Sequence, residues 1–359
     1  MGETKQIKVG IYSPYLDIFG GGERYLLNIA SSLSKSHEVF IFASPSFKQK
    51  IYSLLKIDVD GVHFLPESIV RTKNVFKKYL SFHNYDVFIF MTDGSLPFPV
   101  AKKNFLIIQS PIHAPKLTFI NYIKLLRWDI ICYSTFMQRI IKNRLHKDAK
   151  ILSPSIDINQ FASNNIVKKN ILLSVGRFFP YPHNKKHDVL IDVFKKNYNR
   201  YFQGWRLIIA GGLTEVGGKK VFEDLKRKIG TYPIEVISNI SFDKLTQLYK
   251  EAKIYWHAAG YGEDLQKYPE RAEHFGITTL EAMASGEVPL VFAAGGQLDI
   301  VTDGYNGYLW NTPEEFVKKT YSVIKDEELY KKISQSAISS AKKYSNTNFY
   351  GELKKIITE

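Results

Sequence analysis

Short, largely apolar runs recur along this chain, and they bound what it can fold into. Val39-Phe40-Ile41-Phe42, Val87-Phe88-Ile89-Phe90, Phe105-Leu106-Ile107-Ile108 and Ile130-Ile131-Cys132-Tyr133 lie in the first half. Ile171-Leu172-Leu173-Ser174-Val175, Leu207-Ile208-Ile209-Ala210, Ile234-Glu235-Val236-Ile237, Ile254-Tyr255-Trp256 and Pro289-Leu290-Val291-Phe292 lie in the second. A strand covered on both faces needs such a run, whereas a half-exposed strand alternates. Helical or turn stretches follow these runs, and βα alternation of this kind winds into a parallel sheet with helices on both sides. The series opens with Ile7-Lys8-Val9-Gly10-Ile11-Tyr12, a glycine-rich turn, and helical spacing from Tyr25 to Ala30.

At 359 residues the chain exceeds one ordinary core of roughly 100–200 residues and suits two. The expected class is therefore α/β, with two doubly wound Rossmann-like domains facing each other across a cleft. From Ser153-Pro154 to Asn164-Asn165 the composition turns polar and helix-breaking, which marks the linker. The expected division is 1–160 for the first domain, 165–335 for the second, and a helical segment 336–359 crossing back to the first. A hydrophobic fraction of 45% with 14% aromatics supports two packed cores. The single cysteine, Cys132, excludes a disulfide framework or a cysteine metal cluster and fits a reducing, cytoplasmic setting. Met1 to Gln6 is polar, unlike a secretory leader, and no apolar run nears the roughly 20 residues that span a bilayer. A formal charge of +14 attracts polyanions, anionic lipid surfaces and phosphorylated substrates alike.

The densest chemical signal is Glu273-His274-Phe275-Gly276-Ile277-Thr278-Thr279-Leu280-Glu281-Ala282-Met283-Ala284-Ser285-Gly286. Gly276 and Thr278 suit the start of a helix, and Gly286 followed by Pro289 suits its end. The free backbone N–H groups beside Phe275, Gly276 and Ile277, at the positive end of the helix dipole, can hold a diphosphate. Glu281 lies one or two turns further in, where a carboxylate accepts two hydrogen bonds from a ribose diol. Glu273, ahead of the helix, can reach a sugar. The plainer reading is that these residues only cap and solvate an amphipathic helix.

Two glutamates with seven residues between them, with Phe275-Gly276-Ile277, Glu281-Ala282-Met283-Ala284, Gly286, Pro289, Gly295-Gly296 and Asp303-Gly304-Tyr305-Asn306-Gly307, give the chain its likeness. It resembles the family 4 retaining glycosyltransferases of the GT-B fold, also grouped as glycosyl transferases group 1, over essentially its whole length. The resemblance implies a hexosyltransferase that takes a nucleotide-diphosphate sugar as co-substrate, needs no resident cofactor or metal, and glycosylates a glycan, lipid-linked or small-molecule hydroxyl. It implies that Arg177, after Val175-Gly176, and Lys185 grip the donor diphosphate. Phe178 to Pro182 lengthens the usual gap between them, so Lys186 competes with Lys185. The catalytic set is then Glu273, Arg177 and Lys185. The donor-binding set adds Phe275, Gly276, Ile277, Thr278 and Glu281, with Asn239 and Ile240 for base readout through backbone groups. From the first half it adds Gly21 and Gly22, whose loop lets backbone approach the sugar and diphosphate. Gln109 stands where many relatives carry a histidine. An amide can hydrogen-bond a sugar hydroxyl there but cannot exchange its proton near neutral pH. His113 is close by in sequence.

Other classes fare less well. Gly20-Gly21-Gly22 superficially opens a dinucleotide fingerprint, but its third glycine position falls on Tyr25 and no acidic residue ends the strand Val39 to Ala43. Asp58-Val59-Asp60 mimics a metal-binding Asp-x-Asp but lies far from the donor motifs, and no other ligand spacing suggests a metal. A nucleotide-sugar 2-epimerase-like isomerase on the same fold is the alternative function. It would need acid–base groups that the Gln109 position does not supply. No recognised motif supports nucleic-acid binding. Lys116 to Trp128 and Arg71 to Tyr79 mix cations with bulky apolar residues, a combination suited to an anionic membrane surface, against the plainer reading of a helix packed on its own sheet.

Overall fold

The computed structural model describes residues 6–18, 20–71, 74, 79, 81–163, 166–181, 183–213 and 217–358. Most of the basic-aromatic segment Arg71 to Tyr79, the linker residues Asn164-Asn165, Pro182 and the polar leader Met1 to Lys5 lie outside the described residues. The chain forms two compact units, 1–155 with 347–359, and 156–346.

The first unit carries seven strands: β1 (Lys8–Tyr12), β2 (Glu38–Phe42), β3 (Val62–Leu65), β4 (Val87–Met91), β5 (Lys103–Ile107), β6 (Asp129–Cys132) and β7 (Ala149–Ile151). Their order is β3-β2-β1-β4-β5-β6-β7, and every pairing is parallel. The second unit carries β8 (Lys169–Val175), β9 (Arg206–Gly211), β10 (Ile234–Ser238), β11 (Ala252–His257), β12 (Val288–Phe292) and β13 (Tyr308–Trp310). Their order is β10-β9-β8-β11-β12-β13, again all parallel. Each sheet reverses its winding beside its first strand, at β1/β4 and at β8/β11. Ligands of open parallel sheets bind at the carboxyl ends of such switch-point strands.

Five-residue β4 is buried throughout, as a run of five apolar side chains requires. Phe42, Phe82, Tyr85, Phe88, Phe90 and Trp128 pack in one cluster of the first unit. In the second, Trp310 and Phe316 stack with ring centroids 4.6 Å apart, and Trp256 meets Phe316 at a tilt. Burying one such ring contributes about 2–3 kcal/mol.

Two boundaries differ from the sequence reading. Asp157 caps a short helix, Ile158–Phe161, by accepting from Asn159 N–H at 3.1 Å, and Phe161 is buried edge-on against Tyr249 and Phe242. Residues expected to form a linker therefore belong to the second core. Farther on, Ile333, Ala337 and Ala341 bury the helix Glu327–Ala341 in the second unit, and a 3-10 turn at Lys342–Tyr344 separates it from the helix Asn346–Thr358. Only that last helix packs with the first unit. Phe349 meets the Tyr25 ring edge-on at 5.7 Å, the Tyr350 and Ser36 hydroxyls are 3.0 Å apart, and Lys103 Nζ donates to the Ile357 carbonyl at 3.1 Å.

At the amino end of β12, Glu287 is fully buried and neither carboxyl oxygen has a hydrogen-bond partner among the described residues. Burial pushes its carboxyl well above the usual range, against the pull of Lys168. A raised carboxyl stabilises the fold at low pH, and that stability is lost as pH climbs through its folded value. Glu287→Gln removes the titration. The variant should become progressively more stable relative to the native protein as pH rises above the ordinary carboxyl range, measured by denaturant unfolding of both proteins at pH 5, 6 and 7.

Candidate functional site

Arg177, Lys185 and Glu273 come from three places in the second unit. β8 ends at Val175, so Gly176 and the exposed Arg177 leave the sheet at its switch point. β11, the neighbouring strand, ends on His257. Glu273 follows the 3-10 turn Pro269–Arg271 and precedes the helix Ile277–Ala284.

Lys185 Nζ lies 2.6 Å from Glu273 Oε2, and His257 Nε2 lies 3.0 Å from the same oxygen. The Glu273 side chain is only 14% exposed and that of His257 3%. Burial alone would raise the Glu273 carboxyl, but the Lys185 ammonium and the His257 hydrogen bond outweigh it and hold the group well below the usual range. Burial lowers His257 as well, and Glu273 offsets this in part. The pair therefore stands as carboxylate and neutral imidazole, with the Nε2 proton on the shared bond.

The two competing lysines part company. Lys186 takes left-handed φ of 55° at the start of the helix His187–Asn197, with its N–H on Asn184 Oδ1 at 2.6 Å, and its ammonium pairs with Glu263. Arg271 pairs with the same carboxylate and lies over the Tyr268 ring at 4.0 Å. Lys185 is thus the lysine aimed at Glu273, while Lys186 belongs to a separate ionic layer. His183 and His187, flanking them, are both pulled down to about 3, by burial first and then by nearby cations that include Lys185.

The helix Ile277–Ala284 opens at Gly276, whose φ of 113° is disfavoured for any residue with a side chain and whose added Cβ would lie 2.9 Å from the buried Gln297 amide. Phe275 turns its ring inward against Tyr344 at 5.8 Å, leaving its backbone as the contribution it could make to a ligand. Thr279 and Leu280 N–H bond back to the Gly276 carbonyl. Thr278 Oγ1 accepts from the Tyr255 hydroxyl at 2.7 Å, and that hydroxyl lies 3.3 Å from the Val175 carbonyl. Tyr255, on β11, thereby joins the end of β8 to the first turn of the helix. Glu281 is buried one turn on and accepts from the Tyr249 hydroxyl at 3.0 Å. Asn239 and Ile240 follow β10, two strands from β8. The Asn239 N–H is spent on the Gly211 carbonyl at 2.9 Å, and its side-chain oxygen takes Leu213 N–H at 2.8 Å.

The remaining candidates lie in the first unit. Gly21 and Gly22 form the opening turn of the helix Gly21–Leu33, where a loop had been expected up to Arg24. Glu23 draws the turn tight by accepting from Gly20 N–H at 2.8 Å. Gly22 and Gln109 are in close approach, since a Cβ at Gly22 would fall 2.0 Å from Gln109 Oε1. Tyr133 Oη donates to that oxygen at 3.4 Å. His113 stacks on Tyr15. Asp58 and Asp60 sit in an exposed turn where Asp60 pairs with Lys48. No group of three or more metal-ligating side chains occurs among the described residues.

Sequence reasoning missed His257, Tyr255, Tyr249 and the Glu263–Arg271 layer. His257 directly follows the apolar run Ile254–Trp256, so its place at a strand end was the available signal.

Solved structures share this architecture. A glycosyltransferase from Rickettsia africae superposes with a TM-score of 0.76 at 16% identity over 99% of this chain and 98% of its own. Anabaena HepE, solved with UDP and glucose, gives 0.70 at 16% over 98% and 100%. At such identities the likeness shows the fold, the two-sheet GT-B architecture. An uncharacterized glycosyltransferase of Methanocaldococcus jannaschii is 30% identical over 60% of this chain and 55% of its own length. A Dictyostelium discoideum GDP-Man:Man(3)GlcNAc(2)-PP-Dol alpha-1,2-mannosyltransferase is 26% identical over 61% and 44%. The chain thus matches about half the length of these two relatives. A Campylobacter jejuni alpha-1,4-N-acetyl-D-galactosaminyltransferase, named for a diNAcBac-PP-undecaprenol glycan, is 22% identical over 95% of both chains. The family described as glycosyl transferases group 1 matches residues 155–340, just over half the chain and the whole span from Arg177 to Glu281, and the chain belongs to that family.

Proposed function

We propose that the protein is a retaining hexosyltransferase that moves a sugar from a nucleotide diphosphate to a glycan, lipid-linked or small-molecule hydroxyl without a metal ion. The observation that carries this reading is the convergence of Lys185 and His257 on the buried Glu273 carboxylate at the β8/β11 switch point, with Arg177 on the end of β8. As the bond between the sugar C1 and the diphosphate oxygen breaks, charge grows on the leaving group. Fixed cations stabilise that charge more in the transition state than in the ground state. Arg177 and Lys185 serve this role, and backbone N–H groups at Phe275, Gly276 and Ile277 hold phosphate or sugar oxygens. Glu273 stays ionised, so it donates no proton. It fixes the Lys185 ammonium and accepts from sugar hydroxyls. Glu281, oriented by Tyr249, receives the ribose diol.

The acceptor oxygen attacks C1 on the face the diphosphate leaves, its proton passes to a leaving-group oxygen, and no protein nucleophile is used. An isomerase reading would require conversion of the donor in the absence of acceptor, which incubation with the nucleotide sugar alone detects. The names of the Dictyostelium and Campylobacter relatives, which carry PP-Dol and PP-undecaprenol glycans, support a lipid-linked acceptor, which a cytoplasmic protein would meet at the inner face of a membrane.

Arg177→Ala should raise the barrier by about 3 kcal/mol, and Glu281→Ala should also lose transfer. Both should remain folded, Glu281→Ala at a lower melting temperature because the buried Tyr249 hydroxyl loses its acceptor, and unchanged turnover in both sinks the assignment. Tyr255→Phe removes the hydroxyl linking Thr278 to the β8 end. It should cost transfer about 1 kcal/mol, close to fivefold, seen as lower turnover in a protein of native circular dichroism. In a melting panel of UDP-, GDP- and ADP-sugars, the true donor at a hundred times its dissociation constant should add about 2.7 kcal/mol of stability. No stabilisation by any of them counts against the site.

A further inference from the structure

Between Asp93 and Asp129 the chain carries no aspartate or glutamate, yet Lys102, Lys103, Lys116, Lys124 and Arg127 all fall there. Lys102 is spent on Asp86 and Lys103 on the last helix. Lys116 and Arg127 are exposed. They bracket the helix Phe119–Leu125, which Thr118 caps by accepting from Asn121 N–H at 3.2 Å.

That helix is oddly partnered. Leu125 is buried beneath it, and Trp128, just after it, is buried with its indole on the Pro97 carbonyl at 3.3 Å. Around the rest, Phe119 is 79% exposed, Ile120 60%, Leu126 59%, Tyr122 49% and Ile123 48%. Phe98, 62% exposed, extends the same surface, because the Lys124 ammonium lies over its ring at 4.5 Å and donates to the Leu96 carbonyl at 2.8 Å. A surface helix ordinarily keeps its large apolar residues on the stripe facing its own core. Contiguous exposed apolar surface of this kind marks an interaction site.

Charge selects the occupant. A second copy meeting this face about a two-fold axis would bring Lys116 and Arg127 towards the same cations of its partner, and residues 94–128 supply no carboxylate to pair them. A bilayer with anionic headgroups offers acyl chains to the apolar side chains and phosphates to the flanking cations. No helix among the described residues is long and apolar enough to cross a membrane, so contact of this type would be peripheral.

We infer that the face formed by Phe98 and residues 119–126, bordered by Lys116 and Arg127, docks the protein on an anionic phospholipid bilayer. The inference rests on the reading of a lipid-linked acceptor and names the surface that brings the first unit to it.

Co-sedimentation of the full chain with vesicles of phosphatidylglycerol and phosphatidylcholine, compared with phosphatidylcholine alone, tests it. Binding should favour the anionic vesicles and fall with added salt. Lys116→Gln and Arg127→Gln should each weaken it about fivefold, and Phe119→Ser with Ile123→Ser should abolish it at an unchanged melting temperature. Equal binding to both vesicle types, or native binding by the serine pair, overturns the proposal. So does a dimer in sedimentation velocity that the serine pair dissolves, since the face would then belong to a second copy. Nucleotide-sugar melting shifts without vesicles read the donor site separately. Docking that fails while those shifts persist condemns the docking face alone, and the reverse result condemns the transferase reading alone.

Discussion

Glu273 keeps its negative charge in a place where little of it meets water, and much of the second unit is arranged around that fact. An unpaired buried carboxylate costs several kcal/mol, and breaking a buried pair costs 3–5 kcal/mol or so. Two donors on one oxygen offset the loss, one a cation and one a neutral imidazole. Both depend on the parallel sheet. β11 must end where His257 does, and the stretch after β8 must be long enough to return Lys185 to the same edge.

That stretch is held at its root by Phe178, buried against Phe222 at 5.2 Å and against His187 at 5.6 Å. Left-handed backbone at Lys186 sends consecutive lysines to different carboxylates, and the Glu263–Arg271 layer takes the second one.

The strands at the centre of each sheet were legible because a strand covered on both faces must be apolar throughout. β3, β7 and β13 were not read as strands. They are edge strands of three or four residues, only partly buried, and too short to display a period. The glutamate pair and its glycine were legible as a local pattern, since seven intervening residues and one helix start are set by near neighbours. Tyr255, Tyr249 and His257 were not, because their partners lie 23, 32 and 16 residues away and only the fold supplies them. The choice between Lys185 and Lys186 likewise needed a single backbone dihedral that no composition reveals.

The helix Asn346–Thr358 closes the aromatic contact around Tyr25, a residue buried in the first helix of the chain. During synthesis Tyr25 leaves the ribosome more than three hundred residues ahead of Phe349. The amino-terminal unit must therefore stand with an open flank while the whole of the other unit is translated. Its last packing step is intramolecular yet delayed, at ordinary elongation rates, by about 15 seconds or longer.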